Sequence, residues 1–279
     1  MSLIKVERFG KKLELDDKLI GQINLLFIPR IENFWDNIIP ITGMEGTGKS
    51  TLAQEIAWYI SGPNSRIVFT FEQFSEAFNN LSAGGTIIWD EFVFAGMAGD
   101  ANSKLSRLAK KIFVTGRKKR LNILLLMPSI HMMEKYFAMS RTICLIHCDS
   151  PDLIKRGFGY FYSKKRKNSI RGNKLFRDSL ETPIKWSNFS FKFSSPIEEI
   201  FDEKEYQRLK DEAISTLFAP DDEEKTDKRQ DKFKFRFLKE HADDILSMSE
   251  KESSEIFGVD IRTVASWKRF IKDKILKNE

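Results

Sequence analysis

Short unbroken apolar runs alternate with stretches in which apolar side chains recur every three or four residues. The runs are Ile38-Ile39-Pro40-Ile41-Thr42, Arg66-Ile67-Val68-Phe69-Thr70-Phe71, Gly85-Thr86-Ile87-Ile88-Trp89, Asn122-Ile123-Leu124-Leu125-Leu126-Met127 and Thr142-Ile143-Cys144-Leu145-Ile146-His147-Cys148. Each is short and rich in Ile, Leu, Val or Phe, as a strand buried on both faces must be. Leu52–Ile60, between the first two runs, reads as a helix. Strands alternating with helices predict an α/β fold on a parallel, doubly wound sheet.

The pattern changes after Cys148. Gly157–Tyr162 reads as a strand, Lys164–Ser169 as the tip of a hairpin, and Thr182–Phe193, which alternates for part of its length, as an edge strand. Together they predict a β-hairpin extension of the sheet. Pro196 can open a helix through about Leu217, with Ile197, Ile200, Tyr206, Leu209 and Ile214 as its apolar stripe. Residues 219–232 carry almost no apolar side chains and many charges of both signs, the composition of a linker or a solvated helix end. A small all-α unit is expected over 233–279. At the other end, Leu13-Glu14-Leu15-Asp16-Asp17-Lys18-Leu19-Ile20 predicts the start of a helix through Leu26. It packs on the core or on a neighbouring subunit. The expected divisions are therefore 1–36, 37–218, 219–232 and 233–279.

Candidate chemistry sharpens this outline. Between the first strand and the first helix stands Gly43-Met44-Glu45-Gly46-Thr47-Gly48-Lys49-Ser50-Thr51, which fits G-x-x-x-x-G-K-[ST] at every fixed position. Strand, glycine loop and helix are the context of a phosphate-binding loop. The glycines let backbone N–H groups curl round a phosphate, and the helix N-terminus adds its partial positive charge. The residues expected to line the nucleotide are Gly43, Glu45, Gly46, Thr47, Gly48, Lys49, Ser50 and Thr51. Lys49 is expected on the β/γ-phosphates and the Ser50 hydroxyl on Mg²⁺. The third strand ends in Asp90-Glu91. Functional residues of a parallel sheet gather at the carboxyl ends of its strands, so this pair is expected beside the glycine loop. Asp90 then serves the Mg²⁺ shell, and Glu91 orients or deprotonates the attacking water. The expected cofactors are ATP and Mg²⁺.

The acid pair resembles that of phosphate-loop ATPases which carry a catalytic glutamate after the Mg²⁺ aspartate, and does not resemble small-molecule kinases or GTPases. No guanine-reading Asn-Lys-x-Asp is present. In such ATPases a polar residue at the position of Ser129 senses the γ-phosphate, while a serine there can equally cap the next turn. Val114-Thr115-Gly116-Arg117-Lys118-Lys119-Arg120-Leu121-Asn122-Ile123 resembles the approach to the fourth strand in the FtsK/HerA group of DNA-pumping ATPases. There an arginine can reach a neighbouring subunit's nucleotide. The resemblance spans roughly residues 37–150. It implies a homo-oligomeric ring, such as a hexamer, with Arg117 or Arg120 acting in trans; a solvated basic turn or a DNA phosphate contact is the other reading of these arginines. That group often carries Gln before the Pro-Ser, where this chain has Met127.

Composition adds the partner. The formal net charge is +6, with 41% hydrophobic and 31% charged residues. A basic globular chain favours nucleic acid or an anionic surface. No run approaches the ~20 apolar residues of a membrane span, and the first residues lack a signal-peptide core. A cytoplasmic location is expected, the host cytoplasm if the chain is viral. Cys144 and Cys148 fall on one face of a strand, roughly 13 Å apart at the usual rise, and are expected to be buried apolar residues rather than a metal clip.

Leu153 to Arg177 contains no acidic residue, and Lys164, Lys165, Arg166, Lys167 and Arg171 accumulate there beside Phe158, Tyr160, Phe161 and Tyr162. A basic, aromatic-flanked hairpin can track a phosphate backbone; the alternative is a solubilising loop whose aromatics pack inward. Ser249–Trp267 resembles the helix-turn-helix of DNA-binding regulators, with Ser254 at the helix approach, a turn at Gly258, and Val259, Val264 and Trp267 in the small core. The resemblance implies that Arg262, Thr263 and Ser266 face the major groove, with Lys268 and Arg269 near phosphates. A protein-contacting three-helix bundle is the alternative. The expected activity is Mg²⁺-dependent ATP hydrolysis coupled to DNA, as an oligomeric motor or processing ATPase of a virus, plasmid or mobile element. The alternatives are an ATP-switched DNA-bound regulator or loader, and a viral genome-packaging component.

Overall fold

In the computed structural model the described residues are 2–90, 116–150, 157–193, 203–217, 238, 241–257 and 259–271. The chain divides into two compact units, Met1–Ala213 and Ile214–Glu279.

The first unit is organised by a seven-stranded sheet in the order β4-β5-β6-β3-β7-β8-β9. Its strands are β3 (Asn37–Thr42), β4 (Ser65–Val68), β5 (Thr86–Trp89), β6 (Asn122–Met127), β7 (Cys144–Asp149), β8 (Phe158–Ser163) and β9 (Phe189–Lys192). The first five pair in parallel; β8 and β9 join antiparallel. The apolar runs are continuous because both faces are covered. Alternate residues serve opposite cores: Ile39, Ile41, Leu124, Leu126, Cys144, Ile146 and Cys148 enter one, and Ile38, Ile123, Leu125, Met127 and Leu145 the other. This is the period-two consequence of the strand pleat. Cys144 and Cys148 are accordingly buried free thiols, and burial pushes the Cys148 thiol up to about 12.

Register between β3 and β6 is pinned by a buried amide pair. Asn37 and Asn122 are partners at the starts of the two strands. Asn37 Nδ2 donates to Asn122 Oδ1 at 2.8 Å and to the Phe27 carbonyl at 2.8 Å. A slip would leave these groups unpaired in the core.

Residues 1–36 differ from the expected helix. Leu13 and Leu15 alternate with Glu14, and they form β2 (Lys11–Asp16), paired antiparallel with β1 (Leu3–Arg8). The helical pattern begins only after Asp16, whose side chain accepts from the Lys18 N–H at 3.0 Å and caps α1 (Asp17–Gln22). A π-helical turn over Ile23–Phe27 leads into α2 (Ile28–Glu32). Leu13, Leu15, Leu19, Ile23 and Phe27 are fully buried in the main core.

Helix α3 (Lys49–Ser61) buries Leu52, Ala53, Ile56, Ala57 and Trp58, and α4 (Phe71–Asn80) opens with a capping box between Thr70 and Gln73. Phe74 of α4 stacks on Trp89 with centroids 4.3 Å apart.

Strands β8 and β9 form the antiparallel extension, but their connection is helical. Lys164–Ser169, expected as a hairpin tip, lies in α5 (Lys164–Gly172), followed by α6 (Lys174–Ser179). Burial of Lys167, Ile170 and Arg171, at i, i+3 and i+4, explains why this basic segment coils. Phe161 and Tyr162 point into opposite cores, so the aromatics beside the basic cluster pack inward. The last described helix of this region is α7 (Glu203–Leu217).

In the second unit the described helices are α8 (Ala242–Ser247), α9 (Glu250–Phe257) and α10 (Ile261–Phe270). Leu238, Ala242, Ile245 and Ile271 form its core, with Phe257 and Trp267 packed against it. The expected linker, 219–232, lies outside the described residues. Among the described residues no helix is long and apolar enough to cross a membrane.

Candidate functional site

The glycine loop leaves the carboxyl end of β3 and enters α3. Its conformation needs glycine at specific points. Gly43 has φ 146°, and a Cβ there would lie 2.3 Å from the Cys148 carbonyl oxygen of β7. Gly48, with φ 92°, occupies the N-cap of α3, and a Cβ there would lie 2.9 Å from the Phe193 ring. The Gly43 N–H donates to the Pro128 carbonyl after β6 at 3.1 Å. Neighbouring strands thus hold both flanks of the loop. Thr47 is buried and its hydroxyl donates to the Met44 carbonyl at 2.8 Å; Glu45 and Gly46 are exposed.

Lys49 folds back over the loop and donates to the carbonyls of Gly43 and Met44, each at 2.8 Å. Its ammonium is held below the usual lysine range, first by burial, although Cys148, Asp90 and Glu45 act in the opposite direction. A cation in contact with two carbonyl dipoles, on a helix N-terminus, is a phosphate-seeking group.

Ser50 Oγ donates to Asp90 Oδ2 at 2.9 Å. Asp90 directly follows β5, is 4% exposed, and its N–H donates to the Val68 carbonyl at 2.9 Å. Strand β6 separates β5 from β3, so the two residues meet only because α3 carries Ser50 across that gap. A hydroxyl and a carboxylate in contact beside a phosphate loop fit Mg²⁺, which takes one or two protein oxygens and completes its shell with phosphate oxygens and water. Among the described residues no group of three or more His, Cys, Asp or Glu is placed to hold a metal. Glu91 lies outside the described residues.

Neither protein-family models nor curated proteins match this chain. Among solved structures, the N-terminal domain of zonular occludens toxin from Neisseria meningitidis aligns over 60% of this chain and 98% of its own, at 15% identity and TM-score 0.39. The genome-packaging NTPase B204 of Sulfolobus turreted icosahedral virus 2, in complex with ATP-gammaS, aligns over 58% of this chain and 98% of its own, at 12% identity and TM-score 0.33. Its complex with sulfate aligns over 58% and 97%, at 11% identity and TM-score 0.33.

Other expected site residues divide into those near the loop and those far from it. Ser129 follows β6 near the loop, yet its hydroxyl donates to the Leu180 carbonyl at 2.9 Å and accepts from the His131 N–H at 3.3 Å. That is the capping role. Arg117 and Arg120 precede β6 and so lie at the amino ends of the strands, whereas the loop leaves the carboxyl end of β3. The Arg117 guanidinium is 3.6 Å from the Trp35 ring centroid, and that of Arg120 4.8 Å from Phe34. Six-residue strands place the two ends roughly 17 Å apart, so neither arginine reaches the loop of its own chain.

The basic cluster of α5 is largely turned onto backbone. Lys167 is fully buried and donates to the Ala138 carbonyl, and to Asn168 Oδ1 at 2.7 Å. Burial pulls its ammonium down to about 8. Arg171 donates to the Met133 carbonyl at 2.9 Å, Lys164 to Ser140 at 3.3 Å, and Arg166 to Trp186 at 3.1 Å. Lys167 and Arg171 are thus anchors of the sheet extension rather than free phosphate contacts; Lys164, Lys165 and Arg166 remain exposed.

In the second unit Asp260 caps α10 by accepting from the Arg262 N–H at 2.8 Å. Ser253, not Ser254, is the fully buried small residue of α9; Ser254 Oγ donates to the Val259 carbonyl at 2.6 Å. Arg262 and Ser266, one turn apart, are exposed, Thr263 is half-buried, and Lys268 donates to the Met248 carbonyl.

Two side chains at the site carry no motif. Tyr206 of α7 donates to Asp90 Oδ2 at 2.6 Å; in the sequence it reads only as part of an apolar stripe. His147 of β7 sits beside β3, with Nδ1 2.9 Å from Thr42 Oγ1. Its pKa falls to about 4, first through burial and also through Lys49, against the pull of Asp149. Folded, His147 stays neutral down to about 4, whereas the unfolded chain takes up the proton near 6.5. Between these values the unfolded state binds more protons, so stability falls as pH drops through that window. One such group contributes a slope of up to about 1.4 kcal/mol per pH unit. Urea titrations at pH 7 and 5 should show a smaller loss of stability for His147→Gln than for the parent chain; equal losses would exclude His147 as the source.

Proposed function

We propose that this chain is a Mg²⁺-dependent ATPase coupled to DNA, working as an oligomeric DNA motor or DNA-processing ATPase of a virus, plasmid or mobile element. The observation that carries the reading is the 2.9 Å contact between Ser50 Oγ and Asp90 Oδ2 beside the glycine loop. In this reading the loop N–H groups and Lys49 bind the triphosphate, and Ser50 and Asp90 hold Mg²⁺. Held by Ser50 and Asp90, Mg²⁺ would supply neutralisation of charge on the transferring phosphoryl group. Glu91, next to Asp90 in the chain, orients or deprotonates the attacking water. Arg117 and Arg120, away from their own loop, are available to the nucleotide of the next copy in a ring such as a hexamer. Such an assembly would work in the cytoplasm, that of the host if the chain is viral.

DNA engagement is assigned to the exposed cations Lys164, Lys165 and Arg166 and to Arg262, Thr263 and Ser266 of α10. An ATP-switched regulator that holds DNA without translocating is the second reading. It is favoured by the Asp260-capped α10, which presents Arg262 and Ser266 on one exposed side.

The test is phosphate release with and without duplex DNA. Wild type should hydrolyse ATP only with Mg²⁺, and Lys49→Ala should lose both binding and turnover. A motor should be stimulated severalfold by DNA and displace a bound obstacle; a switch should bind DNA differently with ATP and ADP, and displace nothing. Hydrolysis that survives in Lys49→Ala would refute the site.

A further inference from the structure

Helix α7 contributes to the site through a face that no motif marks. Asp90 Oδ2 accepts from both Ser50 Oγ at 2.9 Å and Tyr206 OH at 2.6 Å. A carboxylate oxygen offers about two lone-pair sites, so these donors saturate it. The Tyr206 ring is held against Phe69, at the end of β4, with centroids 5.7 Å apart. One turn on, Lys210 is close enough for its charge to bear on Lys49. Residues at i and i+4 share a helix face, so Lys210 lies on the side of α7 that brings the Tyr206 hydroxyl to Asp90.

We propose that Tyr206 is a positioning residue that takes, on Asp90, the donor place of a water bound to Mg²⁺, so that loading the site with Mg²⁺ and nucleotide releases the start of α7. This rests on the reading of the loop as a Mg²⁺–nucleotide site. A water bound to Mg²⁺ there would be a hydrogen-bond donor to the same oxygen, and Oδ2 cannot serve it while it serves both hydroxyls. Release of Tyr206 leaves the Ser50–Asp90 pair intact. The helix thereby senses whether the metal site is filled.

The experiment uses the full chain and a fluorescent ATP analogue that is hydrolysed slowly. Nucleotide binding is titrated with Mg²⁺ for wild type and Tyr206→Phe, which keeps the ring contact with Phe69. The Mg²⁺ concentration giving half the binding enhancement should fall about three- to tenfold in Tyr206→Phe, the worth of one hydrogen bond. Binding in EDTA should stay unchanged. Hydrogen exchange supplies a readout independent of activity: amides of residues 203–212 should exchange faster in wild type once Mg²⁺ and the analogue are added, and should already be fast in unloaded Tyr206→Phe. Equal Mg²⁺ midpoints, or slower exchange of α7 on loading, would overturn the inference while leaving the nucleotide site standing. A wild-type chain that binds no nucleotide with or without Mg²⁺ would overturn both.

Discussion

Replacing Glu91 by Gln should leave ATP bound and turnover reduced by about 10²- to 10⁴-fold, the usual worth of a positioned acid–base group. The substitution preserves size and hydrogen bonding but removes the charge that accepts a proton from water. The groups assigned to binding are untouched: Lys49 on the Gly43 and Met44 carbonyls, and Ser50 on Asp90. Binding and chemistry should therefore separate, with ATP affinity within a few-fold of wild type and phosphate release close to background. Filter-bound nucleotide and single-turnover hydrolysis measure the two independently. Turnover equal to wild type would remove Glu91 from the mechanism, and loss of ATP binding would make it part of the cradle.

Arg117→Ala or Arg120→Ala should lower hydrolysis by about 10²- to 10³-fold, at or below the low end of the range known for arginines supplied in trans. The geometry makes the trans character testable. Both arginines precede β6 and stack on Trp35 and Phe34 ahead of β3, whereas the loop follows the other end of β3. A substitution here should leave nucleotide affinity of the single chain unaltered. Mixing inactive Arg117→Ala protein with inactive Glu91→Gln protein should restore activity, because a mixed interface can unite an intact arginine with an intact glutamate. If no mixing ratio restores hydrolysis and the ATP-bound particle is a monomer, the arginines are surface stacking partners and the ring is wrong.

The helical path of Lys164–Gly172 shows where local patterning misleads. A run of four cations beside aromatics reads as a solvated tip, because nothing in the sequence says which carbonyls need donors. The π-helical turn at Phe137–Arg141 presents carbonyls at Ala138, Met139 and Ser140, and Lys164 and Lys167 supply donors to them. The N-terminal segment shows the converse. Leu13-Glu14-Leu15 has strand periodicity, but six residues are too few to separate it from the helix that follows until β1 pairs with it.

What the sequence determined by itself was the sheet and the loop. Unbroken apolar runs demand burial on both faces, and the glycine pattern demands a backbone open to phosphate; both are local requirements, written in consecutive residues. The tertiary structure decided the rest: that β6 lies between β3 and β5, that Ser50 nevertheless reaches Asp90, that Arg117 and Arg120 stand at the amino ends of the strands, away from the loop, and that Tyr206 lands on Asp90. Tyr206 and Asp90 are 116 positions apart in the chain. Contacts at that separation depend on the packing of whole elements, which no short-range pattern encodes.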